Sequence, residues 1–448
     1  MKGPVLAFAL LSAPWAYLVP TGASADDWPQ WLGPRRDGIW RETGIIDRFP
    51  PSGPRVLWRT QIGGGYSGPS VAAGRVYVMD RIVGQDPPSG QGSKRRPPNG
   101  KERILCLDAS DGRILWEHAY ERTYGISYSS GPRVTPTVDG DRVYALGAEG
   151  DLHCLDAASG RVIWRRDLQA DFRAKSPIWG FAGHPLVDGD RLICLVGGEG
   201  STAVAFDKRS GKEIWRALSA KEPGYCPPTM IEASGRKQLI IWHAEALNAL
   251  DPETGAVHWS EPFPCRAGMS IAQPRLMGDL LLVTTFYNGP LMMRLAPDRP
   301  SATVAWRGNS ENERQTDRLH AVMCTPFLED GHIYGVCSYG QLRCLRADTG
   351  ERIWSTLKAT TRDGAEVRWG NAFIVKHADR FFLANELGEL IIARLTPAGY
   401  DEIGRAQLIE PTNPDPRRTV VWSHPAFANR RVYARNDREI ICASLAQD

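Results

Sequence analysis

The chain has 448 residues, 42% of them hydrophobic and 23% charged, and its 54 basic and 51 acidic side chains leave a net charge of +3. That composition belongs to a folded globular chain, and the near balance of charge excludes a general field for nucleic acid or for an acidic membrane surface. Length alone suggests two or three domains, an expectation that the internal repeat overrides.

Residues 1–25 read as a secretory signal peptide: Lys2, the apolar run Val5 to Leu11, a mixed stretch from Ala13 to Val19, and Ala23-Ser24-Ala25 before Asp26. The protein is therefore expected to be exported to the periplasm or cell envelope. The apolar run is too short for a spanning helix and Pro14 interrupts it, and no later stretch is long enough to cross a bilayer. A lipoprotein needs a Cys just after the signal core, and none occurs before Cys106. Residues 26–54 form a Trp-rich extension. From Arg55 the chain reads as short β-strands to its end.

The string Leu/Ile-x-Cys-Leu-Asp-x-x-x-Gly-x-x-x-Trp runs from Ile104 to Trp116 and from Leu152 to Trp164, and with a displaced Asp from Leu342 to Trp354. Looser copies end at Trp215 and Trp259. A period near 48 residues marks stacked supersecondary units. In the second copy the strands are expected at 135–138, 142–146, 152–155 and 161–164, separated by Gly/Asp turns, with Gly160 supplying a positive φ and Asp156 accepting local N–H groups. The unit is a four-stranded antiparallel meander, and a ring of such units buries both faces while leaving few open edges. The inner-strand marker recurs at Pro69, Pro136, Pro185, Pro228, Pro274, Pro326, Ala372 and Pro425, which gives eight cycles. Trp58, Trp116, Trp164, Trp215, Trp259, Trp306 and Trp354 mark the outer strands, with a weak eighth position around Gly404. Each Trp is assigned to the widening gap between blades, where its indole N–H finds a carbonyl.

The motif is cut at both ends. Arg55 to Arg59 is an outer strand with no first half, and Ile440 to Leu445 is an inner half with no Trp after it. The two pieces make one blade, so the fold class is all-β: an eight-bladed β-propeller over 55–448, closed by pairing of the N-terminal outer strand with the C-terminal strands. Residues 84–101, rich in Pro, Gly and Ser and holding Lys94-Arg95-Arg96, read as an exposed insertion between strands. Of nine cysteines, Cys106, Cys154, Cys344 and Cys442 fill one slot in different blades, too far apart to bridge. If Gly340-Gln341 is the turn after Tyr339, Cys337 and Cys344 sit opposite each other as a possible disulfide.

Repeats such as Asp251 to Trp259 resemble the tryptophan-docking motif of pyrroloquinoline-quinone-like (PQQ-like) eight-bladed propellers, over essentially the whole mature chain. The opening from Trp28 to Gly38 resembles exported BamB-like propellers of planctomycete-type bacteria. The resemblance implies the fold, and implies either of two roles. One is that of quinoprotein dehydrogenases, which hold PQQ on a Trp floor beneath a vicinal Cys-Cys disulfide and beside Ca²⁺. This chain has no Cys-Cys pair and no segment matching the calcium ligands or the catalytic Asp. The other is that of a non-catalytic envelope scaffold, although the lipid-anchor Cys of that relative is missing here.

Function is expected where the copies differ. The connections entering the innermost strands gather at one mouth of the channel, and they carry Tyr66, Arg133, Trp179, His184, Tyr225, Met269, His320, Arg368, Trp369, Asn371, Trp422 and His424. Converging aromatic faces with Arg, His and Asn donors suit a small planar or sugar-like ligand or an inserted peptide. Alternatively Trp179, Trp369 and Trp422 pack on each other and plug the channel. His184 and His424 hold equivalent positions, as metal ligands facing each other or as partners of nearby backbone. No nucleophile motif, zinc-protease pattern or phosphate loop is present. The expectation is an exported, monomeric, non-catalytic binding or scaffold propeller of the bacterial envelope that takes an envelope protein or small ligand and no resident cofactor. A PQQ- and calcium-dependent alcohol or sugar dehydrogenase and a glycan-binding propeller remain as alternatives.

Overall fold

A computed structural model describes residues 26–84, 99–415 and 418–447. The segment expected to be a signal peptide and most of the insertion, including Lys94-Arg95-Arg96, lie outside them. Eight four-stranded antiparallel sheets follow one another around a ring, at 70–121, 137–167, 186–217, 229–262, 275–307, 327–356, 372–407 and 426–444, the last completed by Val56–Gln61. We number these blades 1 to 8. The innermost strands of blades 1 and 8 touch, so the ring is closed. Among the described residues the only α-helix is Leu168–Phe172, between blades 2 and 3.

Blade 2 shows why the repeat folds as it does. Its strands are Thr137–Asp139, Arg142–Leu146, Asp151–Asp156 and Val162–Asp167, within a few residues of the positions read from the turn chemistry. Asp156 accepts the N–H and hydroxyl of Ser159, at 2.9 and 2.7 Å, and these bonds hold its carboxyl below the usual range. Gly160 has φ +72°. Its missing side chain does a second job, because a Cβ there would lie 2.5 Å from the Trp116 ring of blade 1. The Trp116 indole N–H then donates to Ala157 O at 3.1 Å. The same seating recurs for Trp58 on Gly112, Trp164 on Gly211, Trp215 on Gly255 and Trp306 on Gly350, with N–H donation to Ala109, Lys208, Pro252 and Ala347 carbonyls.

Three docking positions depart from the pattern. Trp354 donates its N–H to Thr396 O of blade 7 at 2.8 Å, but Gly399 of that turn has open space around it and does not seat the ring. Trp259 faces a blade 5 turn with no Asp-x-x-x-Gly, and its N–H turns to Gln238 of its own blade. In blade 7, Gly404 pairs with Ile392 at the register that Trp occupies elsewhere, and a Cβ there would lie 3.6 Å from the side chains of Phe49 and Arg48. Ring closure follows the cut motif: Val56–Gln61 pairs with Glu439–Ser444, placing Trp58 opposite Cys442. Cys106, Cys154 and Cys344 likewise sit opposite Trp116, Trp164 and Trp354.

The proposed Cys337 to Cys344 bridge is corrected by the register. Cys337 N–H bonds to Gln341 O, so Leu342 pairs with Val336 and Cys344 with Tyr334, two steps further down the hairpin. All nine cysteines are buried and free.

The Trp-rich extension lies inside the ring, at one end of the channel. Trp28 exchanges both main-chain hydrogen bonds with Val71 of blade 1, and Pro29 O accepts from Val138 of blade 2. Further on, Gly38 and Trp40 bond to Lys376 of blade 7, and Ile46 N–H donates to Leu445 O. Arg36, fully buried, gives its two Nη groups to Pro185 O and His184 O at 2.9 and 3.1 Å, and Arg275 of blade 5 reaches Asp37 O at 2.6 Å. Trp28, Trp40, Ile45 and Phe49 join the apolar layer between blades 7, 8 and 1. The extension thus closes one end of the channel.

Gly160→Ala should lower stability by about 3 kcal/mol or more, since strain at positive φ and a clash with Trp116 add together. Gly140→Ala, at φ +60° with open space around it, should cost only about 1–2 kcal/mol. Urea unfolding of the two variants checks the difference.

Candidate functional site

The opposite mouth of the channel opens into a cavity of about 280 Å³. Nine of the twelve residues expected there line it: Tyr66, Arg133, Trp179, His184, Tyr225, Met269, Trp369, Trp422 and His424. They converge because each sits at or just before the start of an innermost strand, and eight such starts share one axis. The other three do not line it. His320 is fully buried and its Nδ1 lies 3.0 Å from Phe286 O, with its ring beneath the missing Cβ of Gly289. Arg368 lies over the faces of Trp369 and Phe286, 4.7 and 5.4 Å from their centroids, and bonds to Tyr287 and Glu313. Asn371 is buried and its carbonyl accepts from Glu386 N–H.

The three wall tryptophans surround space instead of filling it. Trp179 leans on Tyr225, Trp369 on Phe286 and Trp422 on Tyr128, with centroids 5.4, 6.5 and 5.8 Å apart. Ile271 and Met323, from the same inner-strand entries, and Tyr128, Tyr287 and Phe373, which the sequence reading left out, complete the lining. Trp31 was missed because it belongs to the extension, whose path across the channel no repeat pattern reveals. It stacks on His184 at 4.7 Å and meets His424 edge-on at 5.4 Å. The plug is therefore the extension, and Trp31 lines the cavity above it.

The lining carries few free polar groups. Arg133 donates to the carbonyls of Trp179, Gly131, Ser127 and Tyr128, and Tyr66 covers its face at 5.0 Å. No paired N–H fork is left for a carboxylate or phosphate. Burial lowers the Arg133 pKa, as desolvation penalises its charge. His184 accepts Thr135 N–H at its Nδ1, 3.0 Å away, and it does not share a ligand position with His424, whose ring packs on Phe373 at 3.7 Å. Desolvation pushes His424 down to about 3 and His184 well below its ordinary value, with Arg36 adding to the effect on His184. Both rings are neutral at pH 7. At the rim Trp422 N–H donates to Glu386, itself bridged by Arg418 at 2.8 Å.

PQQ with calcium, which the family resemblance raises, does not fit this cavity. No Asp, Glu, Asn or Gln lines it, so calcium finds no carboxylate or amide oxygen. Arg133 offers no free fork to a quinone carboxylate.

The neutral histidines tie stability to pH. Their folded pKa lies below the unfolded value of 6.5, so their contribution is complete above that pH and is lost as pH falls from about 6.5 towards 3. His153, depressed to about 4 by burial between blades 1 and 2, acts in the same direction. Melting temperature should fall across this window, and His424→Asn should flatten the fall while lowering stability at pH 7. Calorimetry at pH 4, 5, 6 and 7 checks both.

The sequence profile of the family described as outer membrane protein assembly factor BamB matches residues 100–356 and 248–448. Among solved structures, BamB from Moraxella catarrhalis shares 15% identity and a TM-score of 0.55, covering 86% of this chain and 97% of its own. Quinohemoprotein alcohol dehydrogenase from Comamonas testosteroni shares 13% identity at TM-score 0.61, over 94% of this chain and 81% of its own. The quinohemoprotein alcohol dehydrogenase ADHIIG from Pseudomonas putida HK5 shares 11% at 0.53, over 88% and 76%. At these identities the likeness is one of fold. No curated protein sequence matches the chain. The eight-bladed ring and the profile together show that the chain belongs to the BamB family of PQQ-repeat propellers.

Proposed function

We propose that this protein is a non-catalytic binding propeller of the bacterial envelope, exported by the segment at residues 1–25, which receives a protein partner at its single open mouth. The observation that carries this reading is the composition of the cavity. Its walls are aromatic and apolar, its histidines are neutral and bonded or packed, and its one cation is committed to backbone carbonyls. Such a surface offers desolvated contact area and no nucleophile, general base or metal ligand set. The family profile supports a scaffold role, and among the described residues no helix is long and apolar enough to cross a membrane. The rim supplies orientation: Tyr66, Tyr128 and Tyr287 carry hydroxyls above apolar bodies, the combination that recurs where partners dock.

Calorimetric titration with PQQ in the presence of calcium should show no stoichiometric binding, and dye-linked oxidation of alcohols or aldoses should stay at the blank rate. Tight one-to-one binding with turnover would establish a quinoprotein instead. A photo-crosslinking amino acid at Tyr128 should trap a discrete envelope protein in cells. The same probe at Gln447, exposed on the closed side of the ring, should not. Trp179→Ala and Trp369→Ala should each weaken the trapped yield several-fold.

A further inference from the structure

The segment that closes the channel is seated like a ligand. No residue before Val56 belongs to any of the eight sheets, and the ring is completed downstream of the segment by Val56–Gln61. Contact with the ring runs through isolated bridges, Trp28 to Val71, Ile39 to Lys376 and Ile45 to Ala446, with no continuous ladder. Between the segment and blade 8 the chain passes through Pro50, Pro51 and Ser52, all exposed.

Inner strands of a propeller present one unpaired edge to the channel, and an extended peptide satisfies such edges through its main chain while pockets for particular side chains select its sequence. Both parts are present here. Main-chain bonds join the segment to blades 1, 2 and 7. Two side chains then act as anchors. Trp31 lies against both channel histidines, His184 and His424. Arg36 donates to the carbonyls of Pro185 and His184 and lies 6.0 Å from the Trp31 ring centroid, and burial lowers its pKa to about 10. A planar fork that reaches two adjacent carbonyls is a property of Arg and not of Lys. Gly33, at φ +84°, lets the backbone turn beneath the Trp28 ring, where a Cβ would lie 3.0 Å from ring carbon.

We propose that the closed end of the channel is a peptide-binding site, and that residues 26–47 are its resident, intramolecular ligand. The ligand class is an extended segment with a Trp and an Arg five residues apart around a glycine turn. A like segment borne by another protein competes for the site. Its entry replaces Trp31 in the cavity with the incoming Trp against His184 and His424, so the two ends are linked through one side chain. This proposal stands independently of what occupies the open mouth.

The tether keeps the segment at a high effective concentration, so the test cuts it. A protease site replaces Pro50 to Gly53 in the full chain, and the purified protein is cleaved. The N-terminal fragment should co-elute with the ring on gel filtration. Incubation with excess fluorescent peptide of sequence 26–47 should load about one label per ring while near-ultraviolet circular dichroism stays unchanged. Peptides carrying Trp31→Ala or Arg36→Lys should compete at least tenfold more weakly. Exchange only at urea concentrations that unfold the ring would overturn the proposal, as would equal competition by the altered peptides or unfolding of the ring on cleavage. In the uncut chain, hydrogen exchange reads the same property. The amides of Val71, Val138 and Lys376, which donate to the segment, should exchange at least tenfold faster than the blade-ladder amides of Tyr77 and Val143. Equal protection would count the segment as part of the ring and refute a separable ligand.

Discussion

The contact on which this molecule depends is a tryptophan of one blade lying flat on a glycine of the next. Sheets with two apolar faces must pack on both sides, and in a ring the space between them widens outward. The indole fills that space, and the glycine yields it, since a Cβ at Gly112, Gly160 or Gly211 would fall 2.5–2.6 Å from ring carbons. The indole N–H then satisfies a turn carbonyl, so a large polar-edged side chain is buried without an orphaned donor. Repeating this contact fixes the angle between blades and therefore the number that closes the circle.

Where the contact fails, other parts of the chain replace it. Blade 7 has Gly404 in place of Trp, and the gap is filled by Phe49 from the N-terminal extension. That same extension joins the apolar layer of blades 7, 8 and 1, the layer that also contains the junction of chain ends. The weakest docking position and the ring seam are thus covered by one segment, and covering them carries it across the channel. The channel is consequently blind, and the open mouth inherits Trp31.

The mouth combines residues from every part of the chain around one axis, and its chemistry is set by burial. Arg133 and Arg36 keep charge in a dry setting only because backbone carbonyls surround them. His184 and His424 are kept neutral by the desolvation that burial imposes on their charged form. A site built this way discriminates by shape and desolvation, which suits binding better than proton transfer.

Periodicity made the architecture legible. Turn glycines, β-branched runs and the cut motif at both ends define four-stranded units, their number and their closure, because strand alternation and turn geometry are local properties. Nine of twelve mouth residues were legible too, since equivalent positions in a repeat must share an axis. His320, Arg368 and Asn371 were misplaced by a step, because a repeat position does not say which way a loop side chain turns; His320 turns to Phe286 O and Arg368 to Tyr287 and Glu313. The Cys337 pairing failed on a three-residue shift in hairpin register, since Cys344 faces Tyr334. What only the tertiary structure decided is the path of residues 26–49. They carry no repeat, and their hydrogen bonds go to blades 1, 2, 5, 7 and 8 and to the entry of blade 3, residues up to several hundred positions away. The sequence alone determined the ring, because its contacts are periodic and near-neighbour. The plug and the floor of the mouth came from long-range pairing with unpaired inner edges, which no local pattern encodes.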